Sequence, residues 1–231
     1  MSEEAKAIQE ASKAIGKAID LAKCAGQFCN KLFGVGILSD ILEYRRKTLS
    51  GRLEFDLLEK LLLLKKKTEE NLKNKNINVT IPIPLKLGIP LIEAATVEED
   101  ETLHTKYANM LSNAIDPNFE NKITRNFVSI LEDMNPVDVL ILDTICKEWL
   151  SLPENKKNNT LFDRSKITNA LQIESKECEI SLRNLIRLGL FKPGVITQTN
   201  IVVGGNSPSS YKDTELVGIT ELGIALYQSI K

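Results

Sequence analysis

One histidine, His104, is all that a Ser-His-Asp or Cys-His arrangement could be built on in this chain of 231 residues. Activating a hydroxyl or thiol nucleophile needs a base within hydrogen-bond reach, and here that base would have to be this imidazole. It falls mid-helix beside acidic residues, with no nucleophile or metal-ligand cluster in company, so it reads as a packed or surface histidine. The run Glu98-Glu99-Asp100-Glu101 carries carboxylates enough for a divalent cation. Four successive helical residues point around most of a turn, however, and cannot converge on one ion. Favourable charge at a helix start is the expected role. Gly34 and Gly36 lack the following Lys-Ser or Lys-Thr of a phosphate-cradling loop. Cys24, Cys29, Cys146 and Cys178 are scattered without a Cys-x-x-Cys pair, as reduced thiols of a cytoplasmic protein would be. The expectation is a chain with no catalytic residues, no cofactor and no metal, and therefore not an enzyme.

The elements that must hold these residues are mostly helices. From Glu3 to about Phe33, Ile8, Ile15, Ile19, Ala22, Gly26, Cys29 and Phe33 recur at steps of seven, four or three, the helical period. Ala7, Ala11, Ala14, Ala18, Ala22, Ala25 and Gly26 make this stretch rich in small residues that let another helix approach closely, in water or in lipid. Gly34-Val35-Gly36 reads as a break, followed by a helix from about Ser39 to Lys47. Over Gly51–Lys75 the row Leu53, Leu57, Leu61, Leu64 is flanked by Leu58, Leu62 and Leu63, so that helix must be covered on more than one side. Pro82, Pro84 and Pro90 make the next entry extended, with a helix beginning at either Pro84 or Pro90. Thr96-Val97-Glu98-Glu99 has the form of a capping box, opening a helix to about Ile115 with Leu103, Tyr107, Met110, Leu111 and Ala114 on one face. A further helix covers Arg125 to Glu132.

Asn135-Pro136-Val137-Asp138 then opens a helix to Leu150 with a cap, a first-position proline and an acid in the positive first turn. Asp163 opens a short helix, and Ser175 to Leu188 form a longer one. Beyond Gly189 the pattern becomes strand-like, over Val195–Val203 and Tyr211–Ile219, with Gly204 to Ser210 as a hairpin tip. Thr220-Glu221-Leu222-Gly223 caps a last helix. The fold class expected is mostly α: an N-terminal amphipathic arm (1–75), a helical core (76–134), and a winged helix-turn-helix with a two-stranded wing (135–231).

The net charge of −1 hides an uneven distribution. Residues 1–75 carry 15 Lys and Arg against 11 Asp and Glu, residues 76–134 carry 4 against 9, and the remainder is balanced at 11 each. A basic arm beside an acidic middle pairs most simply within the fold. The start, Met-Ser-Glu-Glu-Ala-Lys, is unlike a secretory signal, and no stretch approaches the roughly 20 apolar residues that span a bilayer. The expected location is the cytoplasm, with any membrane contact peripheral to the inner membrane.

Within Ile83 to Asp143 a set of motifs keeps both order and spacing. These are Ile89-Pro90-Leu91-Ile92-Glu93-Ala94-Ala95, Glu98 to Glu101 with Leu103, Tyr107-Ala108-Asn109-Met110-Leu111-Ser112-Asn113-Ala114-Ile115-Asp116, Phe127-Val128-Ser129-Ile130-Leu131, and Asn135-Pro136-Val137-Asp138. This stretch resembles the core of the Abi-alpha family of bacterial proteins associated with abortive infection by phage. Tyr107 stands where that resemblance leads one to expect Trp, which retains an aromatic anchor. The resemblance implies a phage-defence protein. Leu185 to Phe191 with Ile219 to Gly223 also resemble winged-helix modules in general.

Two functions follow for comparison. The first is a defence protein acting through protein contacts, either with itself or with another defence protein. Its oligomer or membrane face would be Ile8, Ile15, Ala18, Ile19, Ala22, Gly26 and Phe33. The second is a transcription regulator whose winged helix meets duplex DNA through Lys176, Arg183, Arg187 and Lys212. Glu177 and Glu179 in the leading turn of that helix would repel phosphates, so nucleic acid is the less favoured partner.

Overall fold

The computed structural model describes residues 20, 23–33, 51–157, 160–194 and 216–231, the side chains of residues 51–55 excepted. These fall into two compact units, Met1–Glu132 with Ser229–Lys231, and Asp133–Gln228. The chain is mostly helical, and the described residues include one small antiparallel sheet.

Among the described residues the first unit has five helices. Residues 23–33 (α1) bury Ala25, Phe28, Cys29 and Leu32, a spacing of three and four that puts them on one face. The expected stripe ran one position to the side, so Gly26 and Phe33 lie half-buried at its margin. A methyl group at Gly26 would meet open space, whereas one at Gly88 would collide with the Phe33 ring and stand 2.8 Å from Ile83 Cγ2. It is therefore the missing side chain of Gly88 that lets Phe33 pack. The remaining members of the proposed face, Ile8, Ile15, Ala18, Ile19 and Ala22, and the helix expected over 39–47, lie outside the described residues.

Gly51–Asn74 (α2) ends where Asn76 takes a left-handed φ of 56° and the Ile77 amide reaches back to Leu72 O at 2.9 Å. That pattern satisfies carbonyls the helix would leave bare. Leu85–Val97 (α3) starts at Pro84 and keeps Pro90 inside it, which decides between the two starts the prolines allowed. Glu101–Ala114 (α4) is capped by Asp100, whose side chain accepts from Leu103 N at 2.9 Å. The cap expected at Thr96 is not used, because the buried Leu91, Ala94 and Ala95 carry α3 past it and the Thr96 hydroxyl turns back to Glu93 O at 3.0 Å. Arg125–Glu132 (α5) buries Phe127, Val128, Ile130 and Leu131.

Along α2 and α4 and the residues flanking them, the polar partners keep a fixed separation of 38 residues. Lys60 Nζ donates to Glu98 O (2.8 Å), Lys67 Nζ to Thr105 Oγ1 (2.8 Å), Asn71 Nδ2 to Asn109 Oδ1 (2.7 Å) and Lys75 Nζ to Asn113 Oδ1. A constant offset means that α2 and α4 run parallel and in register, with α3 returning between them. Asn109 and Asn113 spend their amide protons on the chain's last residues, reaching Ile230 O and Ser229 O, both at 2.9 Å.

The second unit opens with Pro136–Ser151 (α6), then a single turn at Glu154–Lys157 (α7), Phe162–Asp163 (β1), Arg164–Leu171 (α8), Ser175–Arg187 (α9), Phe191–Pro193 (β2), Leu216–Ile219 (β3) and Glu221–Ile230 (α10), whose end belongs to the first unit. The sheet order is β1-β3-β2, all antiparallel, with Phe162 opposite Val217 and Lys192 opposite Gly218. Val195–Val203, the hairpin tip and Tyr211–Glu215 lie outside the described residues. Gly189 takes a φ of +76°, and Leu190 N returns to Leu185 O at 2.9 Å. A glycine is required there to turn the chain from α9 into β2. Thr220 caps α10 as expected, accepting from Gly223 N at 3.0 Å. Gly223 lies against the Leu190 carbonyl, where no side chain would fit.

Candidate functional site

The residues with catalytic potential are absorbed into packing. His104 is 1% exposed on α4, and neither ring nitrogen reaches a hydrogen-bond partner. Burial pushes its pKa below the ordinary 6.5, and the Lys67 ammonium pushes it the same way. The Lys60 backbone and Glu101 offset only part of this. Burial and Lys67 both favour the neutral form of the imidazole. The acidic run divides its labour: Asp100 caps α4, Glu98 Oε1 accepts from Asp100 N at 2.8 Å, and Glu101 faces Lys67 at 3.6 Å. Among the described residues no group of three or more His, Cys, Asp or Glu is placed to hold a metal ion. None of the four cysteines is in a disulfide, and burial pushes the Cys29 thiol up to about 12, far from a nucleophile's range.

What the second unit does present is a groove between α9 and the β2–β3 ladder, about 390 Å³ in volume. Its construction starts at the capping box of α6. Asn135 Oδ1 accepts from Asp138 N (3.0 Å), while Asp138 Oδ2 accepts from Asn135 N (2.9 Å). Asp138 is fully buried, and its Oδ2 also accepts from Asn184 Nδ2 at 2.7 Å. That amide donates in addition to Asp133 O at 3.0 Å. Asn184 thus ties α9 to the start of α6, and its own Oδ1 accepts from Arg187 Nε at 3.0 Å. Arg187 completes the chain by reaching Asp133 Oδ2 at 3.2 Å. One turn earlier, Glu179 is held by Arg183 (Nη2 to Oε1, 2.8 Å) and by Arg164 of α8 (Nη1 to Oε2, 3.4 Å). The floor beneath these charges is apolar: Leu182, Ile186, Pro193 and Val217.

Of the residues expected to meet nucleic acid, Arg183 and Arg187 come together at this groove, each engaged with a carboxylate. Lys176 is exposed in the first turn of α9, away from the groove lining. Lys212 lies outside the described residues. Arg164 and Asp133 were missed. The Glu179–Arg183 spacing of four was a visible helix pairing, but nothing local pointed to partners from α8 or from before α6.

Tyr107, the aromatic anchor of the sequence motifs, is buried in α4, and the first motif forms α3 with Leu91, Ala94 and Ala95 inside. No helix among the described residues is long and apolar enough to cross a membrane. No curated protein and no solved structure matches the chain. The family described as abortive infection alpha matches residues 56–230, more than half of the sequence and spanning both units. The chain belongs to the abortive infection alpha family.

Proposed function

We propose that the chain is a non-enzymatic phage-defence protein that acts in the cytoplasm through protein contacts. Family membership supports the defence role. The observation that carries the mode of action is the α9 groove, where arginines already matched by carboxylates border an apolar floor. Such a surface suits a polypeptide better than a phosphate backbone, which favours unopposed cations. In this reading the N-terminal stretch joins copies of the chain, or meets another defence protein, through Ile8, Ile15, Ala18, Ile19, Ala22, Gly26 and Phe33. Peripheral contact with the inner membrane through the same face belongs to the proposal. Replacing Ala18 and Ala22 with Glu should abolish self-assembly, followed by light scattering, and protection of a culture challenged with phage. Unchanged behaviour in both assays would remove the idea.

A second reading is supported by the order helix, one-turn helix, strand, helix, helix, strand, strand, helix in the second unit, read as a winged helix-turn-helix. It makes the chain a transcription regulator, with Lys176, Arg183, Arg187 and Lys212 on DNA. A gel shift of the neighbouring promoter at low salt would favour it.

A further inference from the structure

We infer that Cys24 and Lys65 form a reactive pair, which peroxide converts into a covalent staple between α1 and α2. Lys65 Nζ donates to Cys24 Sγ at 3.3 Å, a contact between side chains 41 residues apart in the sequence. That separation is already one from which bonds form. Of the four thiols, those of Cys29, Cys146 and Cys178 are buried, whereas Cys24 is only partly covered. Thiol oxidation follows access, so a small oxidant meets Cys24 first. The Lys65 side chain is 24% exposed and ends a flexible four-carbon stem, which lets the nitrogen close the remaining gap. Its other neighbour, Glu69 Oε1, stands 4.0 Å away and is itself half exposed, too weak a pairing to hold the nitrogen back.

The chemistry runs in two balanced steps. Hydrogen peroxide passes one oxygen to the Cys24 thiol, giving a sulfenic acid and water; sulfur is oxidised by two electrons and peroxide is reduced. The Lys65 ammonium releases a proton to solvent, and the amine so formed attacks that sulfur. The N–S bond forms, the S–O bond breaks, and the departing hydroxyl leaves as water with a second proton from nitrogen. Two thiols of a reductant reverse the link, returning the Cys24 thiol and the Lys65 amine while forming a disulfide of their own. Joining α1 to α2 closes the intervening chain into a loop, which restricts the unfolded ensemble as a disulfide would. The stapled chain should therefore melt at a higher temperature.

The test treats the full folded chain with hydrogen peroxide, stops the reaction with catalase, and weighs the intact product by mass spectrometry. The expected product is lighter than the parent by two hydrogen atoms, and digestion should yield a peptide pair joined through Cys24 and Lys65. Dithiothreitol should restore the parent mass, and the melting temperature, raised by several degrees in the stapled form, should return with it. Cys24→Ser keeps a hydrogen-bond acceptor and should form no link. Lys65→Arg keeps the charge and the donor but presents a guanidinium, so oxidation should stop at an oxygen adduct that dimedone traps. Unfolding the parent in urea before peroxide is added should lower the yield of link by on the order of tenfold, since the amine is no longer held at the sulfur. That comparison needs no substitution. A folded parent that stops at the oxygen adduct, or that joins Cys24 of two copies instead, overturns the inference. So does equal linkage in Lys65→Arg or in the unfolded chain.

Discussion

His104 places an imidazole where water does not reach and gives neither nitrogen a well-formed hydrogen bond, so burial favours its neutral form. Its folded pKa lies below the ordinary 6.5, through burial first and then the Lys67 ammonium, with the Lys60 backbone opposing, the Lys60 ammonium adding and Glu101 opposing. The unfolded chain therefore takes up this proton first as the medium is acidified. Stability is fully present above about pH 6.5 and is lost as pH falls towards the depressed folded value. His104→Leu removes a buried polar group that lacks a partner, so the variant should be as stable as the parent or more so. Its urea midpoint should also decline less steeply below pH 6.5. A parent-like slope would contradict the assignment. Asp138 is a buried carboxylate whose Oδ2 is engaged twice at a helix start while its Oδ1 meets no partner. Asp138→Ala should cost about 1–3 kcal/mol in urea denaturation, since it removes the cap and strands the Asn184 amide.

The helices show the same logic one level up. Gly88 is the point at which α3 admits the Phe33 ring, so Gly88→Ala must displace that ring and Ile83. Overpacking of this sort should lower stability by about 1–3 kcal/mol, read by thermal denaturation, despite alanine's better helix propensity. Much at this scale was legible in the sequence, because caps are local. Asn135-Pro136 before α6, Asp163 before α8 and Thr220 before α10 each announce a helix within a few residues. The failures have a common cause in distant partners. β1 is only two residues long and is a strand because Val217 and Leu216 lie opposite it, far along the chain. The choice between Thr96 and Asp100 depended on how far burial would carry α3, which no local spacing states. The candidate groove was half visible: Arg183 and Arg187 follow from the third-helix pattern, whereas Arg164, Pro193 and Val217 arrive from other elements.

For the molecule as a whole, the telling feature is that residues 229–231 belong with residues 1–132, so that the sequence of the second unit interrupts that of the first. Ser229 and Ile230 are fully buried, and their carbonyls satisfy Asn113 and Asn109. Ending the chain at Gln228 should therefore destabilise the first unit by about 2–5 kcal/mol, through lost burial and orphaned amides. Hydrogen exchange should show α4 amides opening faster while α9 keeps its protection. The arrangement also bears on synthesis. A nascent chain emerging from the ribosome cannot complete its first unit as that unit's own codons are read, and must wait until translation has passed Ile230. A message broken or a ribosome stalled anywhere in the intervening codons yields a product whose first unit is left open at the Asn109–Asn113 end.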